Sequence, residues 1–254
     1  MKEFRKYILI IIINLIPALL FAENNTTLFD QANSAYKKGQ YDTAIAMYSG
    51  ILRSGVESPE IYFNLANSYY KKKDIANAIF NYEHAHKLAP ADDDINFNLQ
   101  LAQTLVVDKI NILPEVFFKK WIREFSEFYS SNGWAWMSII TFISFLLMVL
   151  VYLFSNVSWL KKLGFWLGVF AIFISITSFA NSYNIKQSDE QHGSAIIMSA
   201  SVTIKSSPDE DGTDLFVLHE GSKVWIIDHV GEWYKVKIAD GNSGWIKKSE
   251  FEEI

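Results

Sequence analysis

The sequence predicts a multidomain membrane protein: an α-helical solenoid, a two-helix transmembrane hairpin and a small all-β barrel. Three observations predict it. Residues 25–104 repeat with a period of 34, and Trp134 to Phe154 and Leu163 to Tyr183 carry no Asp, Glu, Lys or Arg over 21 residues each. From Ser194 the chain breaks into short alternating runs divided by turn residues. Half of the 254 residues are apolar and the net charge is −5, so the chain is neither disordered nor strongly charged. The slight acidity argues against nucleic acid, whose phosphates require a basic face. The sequence contains no cysteine, which excludes a disulfide framework, a lipid-modified N-terminal cysteine, a zinc-thiolate site and a cysteine nucleophile.

The first residues, Met1-Lys2-Glu3-Phe4-Arg5-Lys6, are basic; an apolar run from Tyr7 to Phe21 follows, and polar sequence begins after Ala22. That layout predicts an export signal over 1–22, with Leu20 standing where a small residue favours cleavage.

In the hairpin, a helix of roughly 20 apolar residues crosses the roughly 30 Å of a bilayer's hydrocarbon core. The expected spans are 133–155 and 163–183. Lys161 and Lys162 lie between them, and each would cost on the order of 3 kcal/mol at the bilayer centre, so the chain surfaces there. Trp134, Trp136, Tyr152, Trp159 and Tyr183 near the ends fit an aromatic belt. Export followed by an even number of spans puts residues 23–132 and the C-terminal tail on the same outer side. Lys161 and Lys162 inside agree with the positive-inside rule; Lys119, Lys120 and Arg123 pull the other way.

Within 25–104, the segment from Ala35 to Ile45 aligns with the segment from Tyr69 to Ile79. The second copy places Tyr62, Leu65, Ala66, Tyr69, Ala78, Tyr82, Ala85 and Pro90 in a pattern that resembles the tetratricopeptide repeat. The first copy keeps Gly39, Ala44 and Tyr48 but has Leu28 where the family favours an aromatic, and Lys73 replaces the turn glycine in the second. A further first helix, Asp92 to Ala102, looks like a half-repeat that caps the stack.

The resemblance implies antiparallel helix pairs with a concave face built from first helices. Positions i, i+4 and i+7 share a helix face, which groups Phe29, Asn33 and Tyr36, and likewise Phe63, Asn67 and Tyr70, with Phe97 continuing the series. These are the candidate groove, the amides suited to an extended peptide backbone and the aromatics to contact area. Packing against the juxtamembrane segment or a neighbouring chain is the other use of that face. Repeats that grip a C-terminal carboxylate generally have lysine where Phe29 stands, so that ligand class is not expected.

Residues 105–132 read as a linker and an amphipathic juxtamembrane helix opened by Pro114. Its stripe of Phe118, Trp121, Ile122, Phe125 and Tyr129 suits either a membrane surface or a partner helix.

After a linker over 184–193, the runs Val202–Ile204, Lys223–Ile227 and Trp233–Ile238 alternate, with turns at Ser207-Pro208, Gly221, Gly231 and Asp240-Gly241. With Gly231-Glu232-Trp233-Tyr234 and Gly244-Trp245-Ile246, residues 194–254 resemble a bacterial SH3 domain. That likeness implies binding of peptides or cell-wall material, with Trp233 and Trp245 as the candidate contact aromatics; closing the barrel is the alternative role for either.

Signatures of catalysis are missing. Ser34-Ala35-Tyr36-Lys37 and Ser68-Tyr69-Tyr70-Lys71 match a Ser-x-x-Lys nucleophile pattern, but at equivalent repeat positions and without companion motifs. His84 and His86 point apart on a helix, and His192, His219 and His229 lack a clustered carboxylate and thiol. The expectation is a non-enzyme with no cofactor or metal. The order of signal, repeats, aromatic helix, hairpin and SH3 domain resembles the BatE-type proteins of the Bacteroides aerotolerance family. The resemblance implies the bacterial inner membrane with both soluble parts periplasmic, and as partners von Willebrand factor A domain proteins of that system and a MoxR-type AAA ATPase. Two roles are compatible with it: a scaffold whose groove takes a polypeptide, and a peptidoglycan tether or sensor acting through the SH3 domain.

Overall fold

The computed structural model describes residues 27–110, 116–191 and 193–254. The export signal expected over 1–22 and the helix-opening Pro114 lie outside them. Five helices begin the described chain: α1 over 27–37, α2 (Tyr41–Arg53), α3 (Pro59–Lys71), α4 (Ile75–Leu88) and α5 (Asp93–Gln103).

Polar side chains fix where these helices start. Ser58 accepts the Ile61 N–H at 3.3 Å with Pro59 in the first turn, Asp74 accepts from Asn77 at 3.2 Å, and Asp92 accepts from Asp94 and Ile95 at 3.0 and 3.1 Å. Ala32, Ala44, Ala66, Ala78, Ala85 and Ala102 are all fully buried, so the helix backbones approach closely and the aromatics fill the space between. Between α1 and α2 the chain turns on Gly39 at φ +75°, and between α3 and α4 the equivalent position is Lys73 at φ +65°. A side chain in that left-handed region costs about 1–2 kcal/mol, which the packed repeat absorbs.

Helix α6 (Phe117–Ser126) leads into α7 (Ser131–Phe154) and α8 (Ser158–Gln191), an antiparallel pair. Both α7 and α8 are long and apolar enough to cross a membrane. Polar and small residues join them: Ser138 and Ser175 each donate to the other's carbonyl at 3.0 Å, and Ser131 donates to the Ser182 carbonyl at 3.1 Å. A Cβ on Gly164 would sit 3.1 Å from the Met148 carbonyl oxygen, so glycine sets this approach.

Two boundaries differ from the sequence reading. Helix α8 begins at Ser158, which puts Lys161 and Lys162 on its first turns rather than in the loop, and it continues through the expected 184–193 linker to Gln191. With 34 residues against 24 for α7, α8 runs about 15 Å beyond its partner as a continuous helix.

The C-terminal part is an antiparallel sheet of β1 (Ser194–Ile197), β2 (Ser201–Lys205), β3 (Asp214–His219), β4 (Lys223–Val230), β5 (Trp233–Lys237), β6 (Ser243–Lys247) and β7 (Phe251–Glu253). The strand order is β3-β2-β6-β5-β4-β1-β7. The expected barrel is therefore not closed: β3 and β7 end the order without pairing to each other. At that end β7 is only three residues long and pairs with β1 alone, while β1 pairs with β4 on its other edge and turns Ile196 to the helical repeats. Inside the sheet Ile204, Leu218, Val224, Val236, Ile238, Ile246 and Phe251 form one core, with Tyr234 packed against it. Each such side chain contributes roughly 1.5–3 kcal/mol on leaving water.

Candidate functional site

The candidate groove residues of the two complete repeats occupy repeat-equivalent places, and their Phe and Asn side chains make repeat-equivalent contacts. Tyr48 donates its hydroxyl to Asn33 Oδ1 at 2.5 Å, and Tyr82 donates to Asn67 Oδ1 at 2.6 Å, each pair 15 residues apart. Phe29 meets Tyr48, and Phe63 meets Tyr82, at ring-centroid distances of 5.9 Å in both cases. Burial, helped by the neighbouring Tyr36, pushes the Tyr48 phenol up to about 12 and the Tyr82 phenol higher still, so both remain donors at any physiological pH.

One consequence concerns the amides. Their carbonyl oxygens are already taken, and Asn33 Oδ1 accepts a second bond from Asn64 Nδ2 at 3.2 Å that ties α3 to α1. Among the described residues the Nδ2 groups of Asn33 and Asn67 make no bond, which leaves them as donors for an incoming carbonyl. Tyr36 and Tyr70 are half-buried beside them, and Tyr36 meets Tyr41 at 5.5 Å. Phe97 stands apart. It holds the same repeat position but is exposed, because among the described residues no second helix packs over α5 as α2 and α4 pack over their first helices.

Trp233 and Trp245 are half-buried on the sheet, in neighbouring strands β5 and β6, with the Lys247 ammonium 5.5 Å from the Trp233 ring. That position leaves ring surface for contact while the rest packs. Trp225 on β4 is more exposed than either and carries Lys223 at 6.0 Å from its ring.

The main feature that sequence reasoning missed is that the sheet docks on the repeats. Strand β1 alternates: Ala195 and Ile197 enter the sheet's core, while Ile196, fully buried, joins Ala66, Ile79, Tyr82, Leu99 and Val106 in the helical core. Gly221, at φ +84°, lets the β3–β4 turn press on α4, since a Cβ there would lie 3.1 Å from Val106 Cγ2 and 3.3 Å from Ile79 Cδ1. Two polar contacts flank this seam. Asp108 accepts from the His219 N–H at 2.7 Å, from the Ser222 hydroxyl at 2.5 Å and from the His219 ring at 2.7 Å. Glu83, nearly buried on α4, pairs with Lys223 on β4 at 2.6 Å.

His219 thus does face a carboxylate, against the sequence expectation, in a structural clasp that lacks the further ligands a metal needs. No group of three or more metal-ligating side chains occurs among the described residues. His192 lies outside them, and His84 stacks on Tyr62 at 4.8 Å with its basicity lowered by burial. Ser68 is fully buried and donates to the Asn64 carbonyl at 2.8 Å, which removes it as a nucleophile. A cleft of about 450 Å³ opens where α4, α6, α8 and β4 meet, lined by Glu83, Lys87, Glu127, Asn184, Lys223 and Trp225 among others. Its charges are mixed and largely paired.

The architecture is a stack of helix pairs and a seven-stranded sheet flanking a pair of apolar helices. Comparison with known families agrees. A family model of the tetratricopeptide repeat matches residues 59–92, and one of the bacterial SH3 domain matches residues 200–252. Both are typically non-catalytic modules, the first for protein partners and the second for cell-wall material or peptides. The SH3 match begins after β1, so the strand that makes the dock stands outside it. No curated protein matches the chain.

Proposed function

We propose that this chain is a non-enzymatic, membrane-anchored scaffold that presents a repeat groove and an SH3 domain together on the periplasmic face of the bacterial inner membrane. Helices α7 and α8 are the two spans, and 25–104, 105–132 and 194–254 are respectively the repeats, the juxtamembrane helix and the SH3 domain. The groove is Phe29, Asn33, Tyr36, Phe63, Asn67 and Tyr70, with Phe97 at its edge, and its ligand is an extended polypeptide. The observation that carries this reading is the repeated Asn–Tyr bond, which orients two amide donors 34 residues apart along one face. By resemblance to BatE-type proteins, the partners are von Willebrand factor A domain proteins and a MoxR-type ATPase system serving aerotolerance. The second reading is a peptidoglycan tether, favoured by the half-exposed Trp233 and Trp245 on a bacterial SH3 sheet.

Because Ile196 belongs to both halves, the test uses the full chain in detergent. Replacing Phe63 and Tyr70 together by alanine is expected to weaken capture of those partners about thirtyfold or more, with helical content unchanged. Replacing Trp233 and Trp245 should leave that capture intact and, on the tether reading only, abolish binding to sacculi. Unchanged capture by the Phe63/Tyr70 variant removes the groove. For topology, reporters fused at residue 110 and at the C-terminus are expected to give the same external compartment; opposite signals would end the hairpin reading.

A further inference from the structure

In both complete repeats a second helix covers the first. The covering tyrosine comes 19 residues after the phenylalanine it meets, Tyr48 after Phe29 and Tyr82 after Phe63. After Phe97 the residue at that spacing is Val116, itself exposed, just before α6. Helix α5 therefore ends the stack with an open apolar stripe: Phe97 is 66% exposed, Leu101 39% and Leu105 53%. A terminal repeat that merely shields a solenoid needs a polar outer face. Here three large apolar side chains stay open along one line among polar neighbours.

We propose that this face is a docking surface for a second copy of the same chain, α5 lying antiparallel on its counterpart about a two-fold axis. The distribution of charge along the stripe selects that occupant. Asp93 and Asp94 stand in the first turn of α5, and Lys109 stands at the other end, its ammonium 2.9 Å from the carbonyls of Thr104 and Val106. A two-fold rotation brings each acidic end onto the other copy's Lys109 and places the apolar middle, Phe97, Leu101 and Leu105, on itself. Such self-complementarity is what an isologous contact requires. It also sets the two helix dipoles antiparallel, each N-terminus beside the other's C-terminus, and it repeats the antiparallel relation that α2 and α4 have to their own first helices. The dock uses α4, Leu99, Ala102, Val106 and Asp108, and none of the three stripe residues belongs to its core. An eleven-residue helix buries little area, so the contact depends on confinement of both copies in one membrane, and in that respect it rests on the anchor proposed above.

Since the chain has no cysteine, a single introduced thiol reports proximity. The full chain carrying Leu101→Cys is reconstituted in lipid vesicles, recovered with them by flotation and oxidised. A covalent dimer is expected, against a background set by Val56→Cys, an exposed position in the loop between α2 and α3. Adding Phe97→Asp should lower the yield about thirtyfold without loss of helicity, because an exposed side chain is being changed. Reversing Lys109 to Glu should lower it as well, and Asp93→Lys with Asp94→Lys in the same chain should restore it. Dimer yield equal to the Val56→Cys background, or unaffected by Phe97→Asp, overturns the proposal, as does crosslinking of Leu101→Cys only to a foreign protein in native membranes. Chain that fails to float with vesicles would instead count against the anchor.

Discussion

Gly244→Ala is expected to destabilise the C-terminal sheet by about 3 kcal/mol, near the top of the usual range for an overpacked core. Gly244 is buried, and a Cβ built on it falls 2.4 Å from Ile204 Cγ2 and 2.7 Å from the Lys205 carbonyl oxygen. The first of these atoms belongs to a fully buried side chain and the second to backbone, so neither can step aside without moving β2. Strand β2 meets β6 through a register of Lys205 with Trp245, one residue from the new methyl group, so the displacement falls on that pairing. For a unit of this size the loss corresponds to a fall in melting temperature of about 10–20 °C. Gly231→Ala is the control: Gly231 has φ +59° but nothing within 4 Å of an added Cβ, so it carries only the backbone cost of about 1–2 kcal/mol. Amide exchange in the full chain distinguishes them. The Gly244 variant should lose protection over β2, β5 and β6, and equal protection in the two variants would mean that the β2–β6 contact is not as described.

The parts of this architecture that the sequence discloses are those encoded over short distances. The 34-residue offset between Ala44 and Ala78 needs only local comparison, and the same holds for the uncharged stretches of α7 and α8 and for the alternation of Tyr234, Val236 and Ile238. The Phe, Asn and Tyr spacing places three side chains on one face. It does not reveal that tyrosines on the second helices already occupy the amide oxygens, because Tyr48 and Tyr82 read simply as core positions of the repeat. Nor does the pattern of Phe97, identical to that of Phe63, show that one ring is covered and the other bare; that depends on what the chain does after α5.

The dock is the least legible element. Ile196 sits in a four-residue apolar run, Asp108 in a linker and Gly221 at an ordinary turn, and Asp108 and Ser222 are 114 residues apart. A usable signal does exist. Residues Ala195 to Met198 are apolar without alternation, the pattern of a strand covered on each side, and the structure buries Ala195, Ile196 and Ile197 accordingly. The same strand follows α8 closely in the chain, so an apolar helix, the C-terminal sheet and the repeat core are linked within a short stretch of sequence. The helical repeats and the C-terminal sheet are therefore joined by a packed core rather than by a loose linker, and on the scaffold reading proposed above this fixes the orientation of the two modules to each other.

Removing the Asp108 carboxylate should release that arrangement. Asp108→Ala deletes an acceptor that serves three donors, each bond to a charged group contributing about 1.5–3 kcal/mol and not additively, so a loss of about 3 kcal/mol in docking is expected. The pH dependence has a definite sign. Burial alone would raise the Asp108 carboxyl, but the Ser222 hydroxyl and the His219 backbone and ring outweigh it and hold the group below its ordinary value. A carboxyl depressed in the folded state stabilises above its unfolded pKa of about 3.9, and that contribution disappears as pH falls through the lower, folded value. The wild-type dock should thus persist at pH 5 and weaken only in stronger acid, whereas Asp108→Asn, which cannot titrate, should lack this acid-linked step. Limited proteolysis between β3 and β4, together with exchange at Ile79 and Ile196, reads the dock separately from unfolding of either module. Retention of full protection by Asp108→Ala would show that Ile196, Gly221 and the Glu83–Lys223 pair suffice, and that Asp108 is not what holds the two modules together.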